Sequence, residues 1–254
     1  MNRVRSCFTA ALLFALLPGC GGSIPAAADA PASKADAPSA ATSAAITQVR
    51  PLTGAGTVAF DAASATLAWA DGEHVRLLDL AGGEAQTIPA GATVSDLGYA
   101  PQGDLWIVAG HVERRHGATV ACRSRETDMQ RLLGIDGEGV TAAGYAYSDG
   151  IGPIRRQIWL DDACRLQRES TAPLPRETSD SDADPGEASG RTSLQAPRAV
   201  PSAWLRRIDG SRLRLDRGPP LALPSTPAAV SPDGRWWVFG APGQRTLWRL
   251  SGTR

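Results

Sequence analysis

Residues Ala229–Gly240 read Ala-Val-Ser-Pro-Asp-Gly-Arg-Trp-Trp-Val-Phe-Gly. Two apolar residues lead into Ser231-Pro232-Asp233-Gly234, and a run of aromatic and β-branched residues leads out. Pro232 fixes φ at the first corner of a turn, Asp233 can hydrogen-bond back to the backbone, and Gly234 accepts positive φ. The run Trp236–Phe239 that follows has strand composition. The stretch is therefore a tight corner followed by a strand whose bulky side chains need a neighbouring sheet to cover them.

The same layout occurs earlier. Gly98–Ala109 reads Gly-Tyr-Ala-Pro-Gln-Gly-Asp-Leu-Trp-Ile-Val-Ala, with Pro101, Gly103 and Trp106 at the places of Pro232, Gly234 and Trp237. Val58-Ala59-Phe60-Asp61 leading into Thr66-Leu67-Ala68-Trp69 is a degenerate copy with one extra residue. Gly144-Tyr145-Ala146-Tyr147-Ser148-Asp149-Gly150 reads as a weaker one. Gly103 and Gly150 lie 47 residues apart, Gly150 and Gly234 lie 84 apart, about two such steps, and the Phe60 copy precedes Tyr99 by 39. A period in the forties suits a blade of four strands.

Between these corners lie further short runs bounded by Gly, Pro and Asp: Ala65–Ala70, His74–Leu80, Leu105–Ala109, Gln157–Leu160 and Arg212–Leu215. In Arg212-Leu213-Arg214-Leu215 the strict alternation sends both Leu inward and both Arg outward. No stretch of a dozen residues carries a helical period. The Ser231-Pro232-Asp233-Gly234-Arg235 motif with its apolar strand resembles the WD40-like repeats of bacterial periplasmic β-propellers. That resemblance implies an all-β, propeller-like body of four or five blades. A β-sandwich or an irregular barrel with similar turns is the alternative.

The first twenty residues are of another kind. Arg3 and Arg5 precede the apolar stretch Phe8–Leu17, which is too short to span a bilayer. This is the layout of a secretory signal. It ends in Leu17-Pro18-Gly19-Cys20, which resembles the lipobox of bacterial lipoproteins, with Pro18 a departure from the usual small or β-branched residue. The resemblance implies removal of residues 1–19 and diacylation of Cys20, as in palmitate-bearing lipoproteins. Gly21 stands where aspartate commonly retains such proteins in the inner membrane, so the implied location is the periplasmic face of the outer membrane. Several acyl chains, at about 0.8 kcal/mol per buried CH₂, make a stable anchor.

Residues 20–45 read as a lipidated, disordered tether. From Gly21 to Ala45, 21 of 25 residues are Ala, Ser, Pro, Gly or Thr. A flexible chain of that length spans roughly 25–30 Å. The body then covers 46–254, interrupted at 176–201 by a low-complexity acidic stretch that reads as a disordered loop. Asp180, Asp182 and Asp184 resemble the start of a calcium loop. Pro185 and Arg191, however, occupy the places where an EF-hand needs glycine and glutamate.

The charge balance of 26 Lys+Arg against 26 Asp+Glu argues against nucleic acid as a partner. Lys34 is the single lysine. Of the four cysteines, Cys7 leaves with the signal and Cys20 is the lipid site. Cys122 and Cys164 remain, an even pair for an oxidising compartment. They are expected to form a disulfide, with free or intermolecular thiols as the alternative.

Candidate chemistry is sparse. His74, His111 and His116 are the only histidines, and the five-residue spacing of the last two, around Glu113, suits neither a strand nor a helix as a metal site. Asp161 and Asp162 are adjacent, so on a strand they face opposite ways. No nucleophile elbow, phosphate-binding loop or Ser-x-x-Lys motif is present. No catalytic residue, metal or cofactor is expected. The pairs Arg114/Arg115, Arg155/Arg156 and Arg206/Arg207 can serve either as solvated strand ends or as an anion-facing rim, with Arg114, Arg115, Arg155 and Arg156 the first choice for a partner. The expected function is a non-catalytic module that binds another envelope protein. Inhibition of a cell-wall hydrolase and a propeller-channel enzyme are the alternatives.

Overall fold

The chain divides into Met1–Ala41 and Thr42–Arg254. A computed structural model describes residues 44–149, 152–173, 200–216 and 218–252. The expected signal, Cys20 and nearly all of the tether lie outside these residues, as do 176–199 of the acidic stretch.

The body is all-β. After β1 (Ala45–Thr53), a first sheet forms from β2 (Val58–Phe60), β3 (Thr66–Asp71), β4 (His74–Asp79) and β5 (Gln86–Pro89). The second comprises β6 (Asp96–Tyr99), β7 (Leu105–Ala109), β8 (His111–His116) and β9 (Thr119–Arg123). The third comprises β10 (Met129–Ile135), β11 (Gly139–Ser148), β12 (Gly152–Asp161) and β13 (Leu166–Pro173). A short helix, α1 (Ser202–Leu205), precedes the three-stranded fourth sheet of β14 (Ile208–Asp209), β15 (Arg212–Leu213) and β16 (Leu221–Ala222). The fifth takes β17 (Pro227–Val230), β18 (Trp236–Phe239) and β19 (Gln244–Ser251), and β1 returns as its outer strand. All pairings are antiparallel, and the order within each sheet follows the chain except at β1.

The return of β1 joins the two ends of the body, from Ala45 against Ser251 to Thr53 against Gln244. Pro51 sits within β1, which is an edge strand, where a missing backbone N–H costs no ladder bond. That proline and the polar run before it hide this strand in the sequence.

The Pro-Gly corners build equivalent turns. Gly103 N donates to Ala100 O at 2.9 Å and Gly234 N to Ser231 O at 2.8 Å, with both glycines at positive φ. In the degenerate copy Ser64 takes the glycine's place at φ 58°, and its N donates to Asp61 O. Asp61 and Ser231 play one role there: the side-chain oxygen of each accepts the backbone N–H of the residue that opens the next strand, Thr66 at 3.0 Å and Trp236 at 2.9 Å. Trp106 and Trp237 are both fully buried.

The fourth expected copy, Gly144–Gly150, does not join the first and second strands of its sheet as the others do: it runs along the second strand, with Asp149 in the turn that follows. Gly144–Ser148 lie inside β11, and a Cβ at Gly144 would collide with the carbonyl of Asp128. This glycine lets two backbones approach closely. The corresponding corner is Asp136–Gly139, where Asp136 Oδ1 accepts the N–H of Glu138 and Gly139. The expected strands lie where the composition put them, except that Arg212–Leu215 shortens to β15. Leu213 is buried there while Arg212 and Arg214 are exposed. The acidic stretch ends earlier than expected: Val200 is buried in the core with Leu213 and Trp237, so the body resumes by residue 200.

Four apolar clusters lie between successive sheets. Ala59, Val75 and Ile88 of the first meet Leu97, Leu105 and Ile107 of the second. Trp106 and Val108 of the second meet Leu132, Val140, Ile158 and Leu160 of the third. Leu213 of the fourth meets Trp237 and Phe239 of the fifth, and Val238 and Leu247 of the fifth meet Phe60, Leu67 and Trp69 of the first. Among the described residues no comparable cluster joins the third sheet to the fourth. The arrangement is propeller-like: the first strands β17, β2, β6 and β10 are successive neighbours, and they face a shared cavity.

Candidate functional site

The cavity measures about 760 Å³, within the range of small-molecule sites. Its walls come from β2, β6, β10 and β17, with residues of β11, β12 and β19 and Pro201 completing them. Because strand side chains alternate, each first strand offers the cavity every second residue and the space between sheets the others. Ile135 and Ala228, both partly exposed, give it apolar surface.

Its charged groups are Arg131, Arg155, Arg245 and Asp96. Asp96 also ties the structure together: Oδ1 accepts Leu97 N at 2.9 Å and Oδ2 accepts Leu132 N at 2.8 Å, which pins β10 to β6. Arg131 and Arg155 are exposed, and neither forms an ion pair or hydrogen bond among the described residues. Arg245 is the second residue of β19, opposite Leu52 of β1. Its Nε is buried and has no protein hydrogen-bond partner. Burial holds its guanidinium below the ordinary arginine value. Tyr99 and Tyr145 also line the cavity. Burial, with the Asp61 carboxylate second, pushes the Tyr99 phenol up, so it stays a neutral hydroxyl.

The four arginines expected to form one rim are not gathered. Arg115 is buried, with Nε on Glu113, Nη2 on Pro89 O at 2.7 Å and Nη1 on Ala118 O at 3.2 Å, so it cannot reach a partner. Glu113, itself buried, takes Arg123 on its other oxygen at 2.6 Å. Arg114 faces Asp104 at 3.4 Å and Asp162 at 3.7 Å, which links the second sheet to the third. Arg156 bridges Glu126 and Glu169, and these carboxylates raise its pKa. Arg155, one residue away on β12, points to the other face and lines the cavity. Of the third pair, Arg207 meets Asp216 at 2.8 Å and lies over the Trp204 ring.

Cys122 and Cys164 are bonded, with Cα atoms 5.8 Å apart. The bridge joins β9 to the turn between β12 and β13. Asp161 in that turn accepts the backbone N–H of Ala163 and Arg165 and the side chain of Arg165, so its carboxyl titrates below the usual range. His116 contacts Asp104 at 3.1 Å. His111 lies 3.8 Å from Glu113; burial and Arg123 lower its pKa, so it favours the neutral ring. Among the described residues no three His, Cys, Asp or Glu side chains converge as a metal site. No helix of these residues is long and apolar enough to cross a membrane.

Arg131 and Arg245 were not singled out by sequence reasoning. Arg131 lies in β10, which carries none of the expected corner signals, and Arg245 looks like any charged residue after a Gly-containing loop. Only the meeting of strands far apart in sequence brings them to one cavity. The chain matches no protein-family model and no curated protein.

Proposed function

We propose that the protein is a lipid-anchored, non-catalytic binding module of the bacterial cell envelope, held through Cys20 at the periplasmic face of the outer membrane. The observation that carries this reading is the axial cavity. It is open, of ligand size, and walled by strands from several sheets, and its described lining contains no histidine, cysteine or glutamate. Its serine, Ser95, donates its hydroxyl to Val108 O at 3.3 Å. Its carboxylate, Asp96, accepts two backbone N–H groups and its Tyr99 phenol stays protonated, so the lining offers cations and neutral hydroxyls that hold a guest rather than a free base aimed at one. The lipobox-like Leu17-Pro18-Gly19-Cys20 and the Ala/Pro/Ser-rich stretch after it support the anchor and the tether. The Cys122–Cys164 bond suits an oxidising compartment. Tethering raises the effective concentration of the body toward fixed envelope partners.

Metabolic palmitate labelling of the full chain and of Cys20→Ala tests the anchor. Label on the wild type alone is expected, and equal labelling rejects it. In-cell crosslinking followed by purification of the full chain tests the binding role, with a specific envelope component expected. Hydrolytic or redox turnover by the purified protein, lost on one substitution in the cavity, would replace the binding reading with an enzymatic one.

A further inference from the structure

We propose that the axial cavity is a binding site for a small organic anion, with the half-buried Arg245 as its anchor, Arg131 and Arg155 as its solvent-facing clamps, and Ile135 and Ala228 as the apolar surface for the ligand's apolar part. The inference deepens the binding-module reading by naming a ligand class.

Three observations carry it. First, three guanidiniums from β10, β12 and β19 share one cavity with a single carboxylate, Asp96, whose two oxygens already accept backbone N–H groups. The other clustered arginines of the body are matched: Arg115 and Arg123 by Glu113, Arg156 by Glu126 and Glu169, Arg207 by Asp216, Arg214 by Asp209. The cavity alone concentrates positive charge that the described residues do not pair. Second, the Nε of Arg245 is buried without a protein acceptor. A buried donor left without an acceptor is costly, and a charged one more so. A ligand carboxylate or phosphate supplies the missing acceptor in the planar, two-pronged geometry that guanidinium favours. Third, the cavity is amphipathic. Ile135 and Ala228 give its wall apolar surface, while Gln130, Tyr99 and Tyr145 supply neutral hydrogen-bonding groups beside the cations. Inorganic anions gain nothing from the apolar wall, so the geometry points to an anionic head on an apolar or aromatic body.

The test uses the full chain and two fluorescent probes of similar shape: the anionic 8-anilinonaphthalene-1-sulfonate and the neutral N-phenyl-1-naphthylamine. The anionic dye is expected to bind the folded protein and to be displaced by phenyl phosphate or by benzoate, but not by benzyl alcohol. The better of the two competitors identifies the head group as phosphate or carboxylate. Arg245→Met should weaken the anionic dye roughly ten-fold or more, the value of one charge-assisted hydrogen bond, and leave the neutral dye unchanged. The exposed double variant Arg131→Gln/Arg155→Gln should also weaken it and flatten its salt dependence. That variant keeps the test decisive if Arg245→Met fails to fold. No binding of the anionic dye, equal loss of both dyes, or unchanged affinity in the double variant would overturn the site. None of these results bears on capture of an envelope partner, so the two readings fail separately.

Discussion

The second and third sheets are bonded to each other through Cys122 and Cys164, yet they are built on opposite plans. The second is sandwiched: β7 sends Leu105 and Ile107 into one core and Trp106 and Val108 into the next. The third has a described core on one side only, and Tyr145, Tyr147 and Leu166 are exposed on its long strands. Their ion networks are mirror images. In the second sheet one buried carboxylate, Glu113, takes two arginines. In the third one half-buried arginine, Arg156, takes two glutamates, Glu126 and Glu169. The same residue types are thus a structural necessity where water is excluded and a modest adjustment where it is not.

That contrast is broken most directly at Glu113. Replacing it by Ala leaves Arg115, only 4% exposed, without its carboxylate while its carbonyl partners remain. Removing one member of a buried pair typically costs about 3–5 kcal/mol. Urea unfolding of Glu113→Ala should therefore show a large fall in midpoint with little change in slope. A loss below about 1 kcal/mol, the range of exposed pairs, would show that the network is effectively solvated.

Severing the bond between the two sheets comes next. Cys122 and Cys164 are 42 residues apart in sequence, and a bridge of that span restricts the unfolded chain enough to contribute about 2–4 kcal/mol. The double variant Cys122→Ser/Cys164→Ser should lose that amount. The unfolded, non-reduced wild type should yield no thiol from either residue. Recovery of both thiols would refute the bridge.

The two sheets also differ in how far they could be read from sequence. In the second, Pro101, Gly103 and Trp106 announce corner and strand, because a tight turn restricts residue choice and a tryptophan needs cover. The third misleads over Gly144–Gly150, whose likeness to Gly98–Gly103 suggests a first strand and its corner, while Gly144–Ser148 belong to β11, the second strand, where Gly144 answers a close backbone approach. The corner there is Asp136–Gly139, whose hydrogen bonds run from a side chain and leave no proline signature. The disulfide was legible because few cysteines remained to pair. The cavity was not, since Arg131, Arg155 and Arg245 are brought together by contacts between sheets that no local pattern encodes. Of the four arginines first chosen, Arg155 alone lines it. Alternation could have separated Arg155 from Arg156, but not told which of them faces the axis.

The finest test of the contrast is Glu169 on β13. Its carboxyl is held below the usual range, first by the hydrogen bond from Arg156 Nε at 2.7 Å, with burial opposing it and that guanidinium's charge adding the least. A carboxyl whose pKa is depressed on folding stabilises the fold above its unfolded pKa, and the contribution disappears as pH falls through the folded value. The side chain is 36% exposed, so screening keeps the effect small, within about 1 kcal/mol. Glu169→Gln should therefore be slightly less stable than wild type at pH 7. The gap should close as pH drops below the ordinary glutamate range, where the wild-type carboxyl is protonated too. High salt should narrow the gap at pH 7, since a partly exposed pair is screened. The matching variant Glu113→Gln should keep a large deficit at the same salt, because its pair is shielded from solvent. If salt narrowed both deficits alike, the proposed difference between the buried and the half-exposed network would be wrong.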